Sequence, residues 1–183
     1  MRELFLILRD ILAFKRGPQD LPYAPNLTVV VVAAGIVVEF VASMFSDKSP
    51  SPLLLRIVVW HLVPIGLVYL LLHARGFNGR FVQTVLARAT VGFFFLLLAS
   101  PLFIALADFD PQTTQILRPG QTLVVLLFAA AAIWMLCVQA HILRHALELP
   151  FFVGVLIAIL ISVANVVIQM AMFGARAGAG VGV

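Results

Sequence analysis

Residues 53–73 read LLLRIVVWHLVPIGLVYLLLH, and the fold follows from how this stretch is read. As an α-helix rising 1.5 Å per residue it is about 30 Å long, the thickness of a bilayer hydrocarbon core. Its many Val and Ile residues favour strands in water. In lipid the backbone must satisfy its own hydrogen bonds, so the helix is the expected state.

Four further stretches share this length and character: 27–46, 81–107, 121–143 and 150–173. Punctuation separates them. Ser46-Asp47-Lys48-Ser49-Pro50-Ser51-Pro52 and Ala74-Arg75-Gly76-Phe77-Asn78-Gly79-Arg80 are short polar turns. Residues 108–120, with Pro111, Pro119 and Gly120, form the longest expected loop. The connection 144–149 is expected to stay helical until Pro150 stops it. The glycine-rich residues 174–183 read as a flexible tail. The fold class is therefore all-α, a polytopic helical membrane protein with five transmembrane helices plus an N-terminal interfacial amphipathic helix.

The totals agree. The 183 residues are 63% hydrophobic and only 11% charged, with a mean hydropathy of +1.13. A soluble domain is nearer half apolar and a quarter charged. These figures exclude a water-soluble enzyme, a disordered regulator and a nucleic-acid binder as leading readings. The +4 net charge carries no basic stripe interleaved with exposed aromatics, so nucleic acid is not a partner. Cys137 has no second thiol, which excludes an internal disulfide and a CxxC site.

Residues 1–16 precede the first span. Arg2 and Arg9 are seven apart, as are Glu3 and Asp10, so all four charges fall on one narrow face of a helix otherwise made of Leu, Ile and Phe. That pattern predicts a helix lying in the membrane interface. The charges within the apolar run and the lack of a small-residue cleavage pattern mean it is expected to be retained rather than removed as a signal peptide. Five spans put the termini on opposite sides. With the N-terminus cytoplasmic, Arg2, Arg9, Lys15, Arg16, Arg75, Arg80 and Arg144 lie inside and Lys48, Arg118 and Arg176 outside, seven against three. The expected location is the bacterial inner (plasma) membrane.

Polar residues at bilayer depth each require a partner or a purpose. Glu39 in the first span and Arg56 in the second lie at similar depth across a tight turn, and an ion pair between them is expected. His61 sits mid-span, and Pro64 removes the backbone donor that would satisfy the carbonyl of Trp60. Ser162, Asn165 and Gln169, spaced i, i+3, i+7, draw a polar stripe that must face other helices, as interhelical glue or as the lining of a cavity. Glu39, Arg56, His61, Ser162, Asn165 and Gln169 are therefore the candidate intramembrane polar site. For Arg88, snorkelling from an interfacial start to the third span is preferred to a transport role, and the choice between an interfacial and a buried place stays open. His141, Arg144, His145 and Glu148 make a polar face at the inner end of the fourth span, for which snorkelling is again the expectation over metal binding. No catalytic set, phosphate loop, metal site or cofactor site is expected, and the partners expected are membrane lipids with a homo-oligomer or a partner membrane protein.

Gly79-Arg80-Phe81-Val82-Gln83-Thr84-Val85-Leu86-Ala87, the segment from Leu127 to Leu136 with Trp134, and Leu143-Arg144-His145-Ala146-Leu147-Glu148-Leu149-Pro150-Phe151 resemble segments of the Yip1 family of integral membrane proteins. The likeness spans residues 79–173, and the first 50 residues have no counterpart. The resemblance implies a compact five-span bundle and a non-enzymatic scaffold or accessory protein acting through helix–helix and protein–protein contacts. Eukaryotic members work in vesicle trafficking with small GTPases. The family's long cytoplasmic N-terminal region has no match here, which weakens that partnership. The reading from another class is a small-solute or ion transport component using the polar residues in the bundle.

Overall fold

The computed structural model describes residues 2–46, 53–105 and 119–173. Among the described residues it is all-helical. Helix α1 covers Arg2–Leu12, α2 Pro25–Ser46, α3 Leu53–Ala74, α4 Phe81–Ala105, α5 Pro119–Leu147 and α6 Phe151–Phe173, with short 3-10 turns at Pro18–Asp20 and Asn78–Arg80. Five of these, α2 to α6, are long and apolar enough to cross a membrane. Their outward faces carry large apolar side chains, including Val30, Leu126, Phe152, Leu160 and Met170. A surface of this kind suits lipid and would be a liability in water.

The helices alternate in direction, and their neighbours close a ring in the order α2, α4, α5, α6, α3 and back to α2. One end of the ring gathers α1, both 3-10 turns and the connections between α3 and α4 and between α5 and α6. Three helices stop at this end by the same device. A residue at positive φ turns the chain, and the next amide reaches back to a carbonyl of the last turn: Lys15 N–H to Asp10 O, Phe77 N–H to Leu72 O and Leu149 N–H to Arg144 O. The turning residues are Phe14, Gly76 and Glu148. Only Gly76 adopts this conformation without a steric cost from Cβ.

The boundaries differ from the sequence reading where terminator chemistry was hidden. The N-terminal helix ends at Leu12 rather than running to residue 16, because Phe14 turns it. Helix α5 ends at Leu147, because Glu148 turns it before Pro150 is reached. At its other end α5 takes in Pro119 and Gly120, which the sequence reading placed in a loop. Proline suits a first helical turn, where its missing N–H has no intrahelical partner to lose. The rest of that loop, the 47–52 turn and the 174–183 tail lie outside the described residues.

Helix α1 docks on the ring rather than standing clear of it. Ile11 is fully buried, and Leu4, Ile7, Leu8 and Leu12 pack with it against α4 and α5. Phe5 and Phe14 remain exposed beside Arg9, Lys15 and Arg16. The Asp10 carboxylate accepts a 2.9 Å hydrogen bond from Arg9 and lies 3.4 Å from Arg16. The Arg9 hydrogen bond, followed by the charges of Arg9, Arg16 and Lys15, holds its carboxyl below the usual carboxylate range.

A strap from residue 16 to 21 follows, held by side chains of the ring. His141 of α5 meets the Arg16 carbonyl at 2.9 Å. Gln83 of α4 donates to the Leu21 carbonyl at 2.5 Å. Beside it, Arg80 donates to the carbonyls of His145 and Ala146 and pairs with Glu148 at 2.6 Å, while Arg75 donates to the carbonyl of Leu147. These guanidinium groups cap the C-terminus of α5, where four carbonyls lack intrahelical donors. The expected polar face of α5 is thus a clamp. His141 packs edge-on to His145 and to Phe14, and Arg144 lies over Phe151.

Candidate functional site

Between the helices of the ring, α2, α3, α4 and α5 line a cavity of about 540 Å³. Residues four apart share a helix face, and each wall follows that rule. Helix α2 presents Gly35, Glu39 and Ser43, and α4 presents Arg88, Gly92, Leu96 and Ser100. Helix α3 contributes Trp60, His61, Pro64 and Val68, and α5 contributes Met135 and Gln139. At 1.5 Å per residue, Arg88 lies about 10 Å along α4 from the strapped end and Glu39 about 21 Å along α2. The cavity is therefore polar at two depths, with apolar walls between them.

At the deeper level the carboxylate of Glu39 lies 3.5 Å from His61 Nδ1. The same nitrogen is 3.1 Å from the carbonyl of Ile57, one turn back in α3. Carrying its proton on Nδ1 satisfies both oxygens and leaves Nε2 as an acceptor. Space for that edge comes from Gly35, where a Cβ would stand 3.2 Å from Nε2. Arg56 is near enough for its charge to act on Glu39, but it does not line the cavity.

At the shallower level Arg88 faces inward. Its Nη1 is sealed from solvent and has no hydrogen-bond partner, and no acidic side chain among the described residues acts on it. Gln139 stands beside it, donating from Nε2 to the Arg88 carbonyl at 3.3 Å, while its buried Oε1 has no partner. The sequence reading preferred the interface for Arg88. Helix α4 instead runs unbroken from Phe81, and Val85 to Ala87 before Arg88 and Thr90 and Val91 after it are buried, so Arg88 sits at the level of the bundle interior.

The polar stripe of α6 turns elsewhere. Asn165 Nδ2 donates to the carbonyl of Trp60 at 3.2 Å, and Gln169 Nε2 to the carbonyl of Arg56 at 3.0 Å. The carbonyl that Pro64 orphans thus receives its donor from the neighbouring helix. Ser162 is exposed and bonds back to Ala158 O in its own helix at 2.9 Å. That i−4 bond satisfies a serine hydroxyl without any neighbouring helix, so Ser162 did not have to face one.

Of the six candidate residues, the structure brings Glu39 and His61 together in the cavity. It assigns Asn165 and Gln169 to the α3–α6 seam and leaves Arg56 and Ser162 off the cavity wall. Sequence reasoning missed Arg88 and Gln139 as members of the site. The available signal was the i, i+4, i+8 spacing of Arg88, Gly92 and Leu96, a face that combines a charge with a residue lacking a side chain. No protein-family model, curated protein or solved structure matches the chain.

Proposed function

We propose that this is a multi-pass membrane protein of the transport class, which admits a small solute to the cavity within its helix ring. The observation that carries this reading is the convergence of a Glu39–His61 pair and an unpartnered Arg88 on one 540 Å³ space among the long apolar helices. Groups that serve only helix register bond across a seam, as Asn165 and Gln169 do to carbonyls of α3. Ionisable side chains facing an intramembrane cavity are the usual mark of a solute or proton path. A scaffold of the Yip1-like kind, acting through protein contacts, needs none of them.

The proposed placement is a plasma membrane, with the strapped end cytoplasmic. Arg9, Lys15, Arg16, Arg75, Arg80 and Arg144 all gather at that end, which is the sense of the positive-inside rule. In this placement the exposed Phe5 and Phe14 and the basic residues around them lie at headgroup level.

The test has two parts. Ser43→Cys in a Cys137→Ala background should be labelled by a small membrane-impermeant thiol reagent. Pyranine-loaded proteoliposomes under a potassium diffusion potential should show proton flux that Glu39→Gln and His61→Ala abolish. Absent flux, or flux unchanged in both variants, overturns the transport reading. A reporter fused after Val183 should read non-cytoplasmic, and a cytoplasmic signal overturns the orientation.

A further inference from the structure

We infer that the cavity selects a monoanion with an apolar body, its head group held by Arg88 and Gln139. This rests on the proposal that the cavity admits a solute, and it adds the chemical class of that solute.

The charges around the space are not balanced. Glu39 is met by His61 at 3.5 Å and by the charge of Arg56. Arg88 has no such counterpart: its Nη1 is buried without a partner, and no acidic group among the described residues acts on it. A guanidinium kept at depth without an anion is expensive, and the cost is relieved when an anion arrives rather than when a neutral molecule does. One unmatched positive charge calls for one negative charge. A dianion would leave a net negative charge at bilayer depth.

The guanidinium fork fits a planar oxyanion through two parallel hydrogen bonds. Gln139 supports this site from the facing helix: its Nε2 is tied to the Arg88 carbonyl, and its amide also lines the cavity. Beyond Arg88 the walls are apolar. Val85, Ala89, Phe93 and Met135 offer a hydrocarbon or aromatic body only dispersion and burial. Gly92 keeps this passage open, since no side chain fills the position between Arg88 and Leu96. The volume is that of an ordinary small-molecule site, which runs from about 300 to 1,000 Å³.

A single negative charge on an apolar body can come from a free monocarboxylate or from the phosphodiester of an acidic membrane lipid. Both present oxygens to the same fork. The experiment separates them.

The protein carries its own reporter, because Trp60 lines the cavity and Trp134 is the other tryptophan of the two. In a Trp134→Phe background, in nanodiscs of zwitterionic lipid, Trp60 fluorescence is titrated with octanoate, octanol, octylamine and short-chain phosphatidylglycerol. Octanoate or phosphatidylglycerol should bind saturably, at least tenfold tighter than octanol, and octylamine should not compete. Whichever anion binds tighter identifies the source. Arg88→Gln should erase the preference for the anion while octanol binding is kept, and Arg88→Lys should retain part of it. If octanol and octanoate bind equally in the unsubstituted background, the anion assignment is overturned, and this comparison does not depend on any Arg88 variant folding. If no probe binds saturably, the assignment is likewise overturned. Labelling of Ser43→Cys then decides the fate of the cavity reading: labelled, the cavity admits other solutes; unlabelled, both readings fall.

Discussion

Asn165→Leu perturbs one hydrogen bond whose value is set by a proline on the facing helix. Asn165 is 3% exposed, and its Nδ2 lies 3.2 Å from the carbonyl of Trp60. In an uninterrupted helix that carbonyl would accept from residue 64, which here is Pro64 and has no N–H. Interhelical hydrogen bonds in membranes average about 0.6 kcal/mol and reach about 1.7. This one belongs near the upper end, because losing the donor leaves a carbonyl with no intrahelical substitute. Removal of Asn165 Oδ1, itself buried without a partner, offsets a fraction. We expect a loss of about 1.5 kcal/mol, roughly a tenfold change in the unfolding equilibrium. In a Pro64→Ala background the new N–H satisfies Trp60, and the same substitution should cost a few tenths of a kcal/mol, a coupling of about 1 kcal/mol. The assay is reversible unfolding of the purified protein in mixed micelles by sodium dodecyl sulfate, followed by tryptophan fluorescence. Equal costs in the two backgrounds, within about 0.4 kcal/mol, would refute the argument that the proline and the asparagine serve each other.

Three other perturbations have determined directions. Gly154→Ala places a methyl 2.6 Å from the Ala140 carbonyl and 3.1 Å from Arg144 Cβ, so α5 and α6 must separate; a loss of about 1–3 kcal/mol in thermal unfolding is expected, and an unchanged Tm contradicts the close approach. Arg80→Met removes both the cap on α5 and the Glu148 pair, whereas Glu148→Gln removes only a part-exposed ion pair worth about 0.5 kcal/mol; Arg80→Met should therefore be the more destabilising, and the reverse order would show that the cap contributes nothing. The Asp10 carboxyl titrates below its ordinary value of 3.8 in the folded protein, so its contribution is present above that pH and lost as pH falls through the lower folded value. Hydrogen exchange of residues 2–16 should accelerate over that window, and Asp10→Asn should remove the pH dependence; an acceleration that persists in the variant assigns it to another group.

The ring's five long apolar helices were legible because hydrophobic length is a one-dimensional property. Any window of about 20 apolar residues reads the same whatever it packs against. Terminators were less legible. Gly76 announces its positive φ, while Phe14 and Glu148 adopt the same conformation with no compositional sign of it. The Asn165–Trp60 bond was half visible: Pro64 orphans a known carbonyl and Asn165 needs a known partner, but matching them requires the cyclic order of helices, which depends on packing between residues about 100 positions apart. Arg88 was left between the interface and the interior for the converse reason. Seven residues into a helix is a depth from which an arginine can reach the interface or turn inward, and only its rotational position in the ring distinguishes the two. Glu39 and His61 were placed in one candidate site, but the direct pairing of the two, in place of the expected Glu39–Arg56 pair, depends on the α2–α3 register.

The ring order has a consequence for the sequence of assembly. Helices α2 and α4 are neighbours although α3 lies between them in sequence, so α3 must leave the α2–α4 contact free as the ring assembles. Helix α3 carries the Trp60 carbonyl as an unmet acceptor until α6 arrives more than 100 residues later. The last of the described helices thus acts as a latch on the second. An intermediate halted before α6 would hold α3 by its contacts with α2, α4 and α5 alone and would leave the carbonyl opposite Pro64 without its donor.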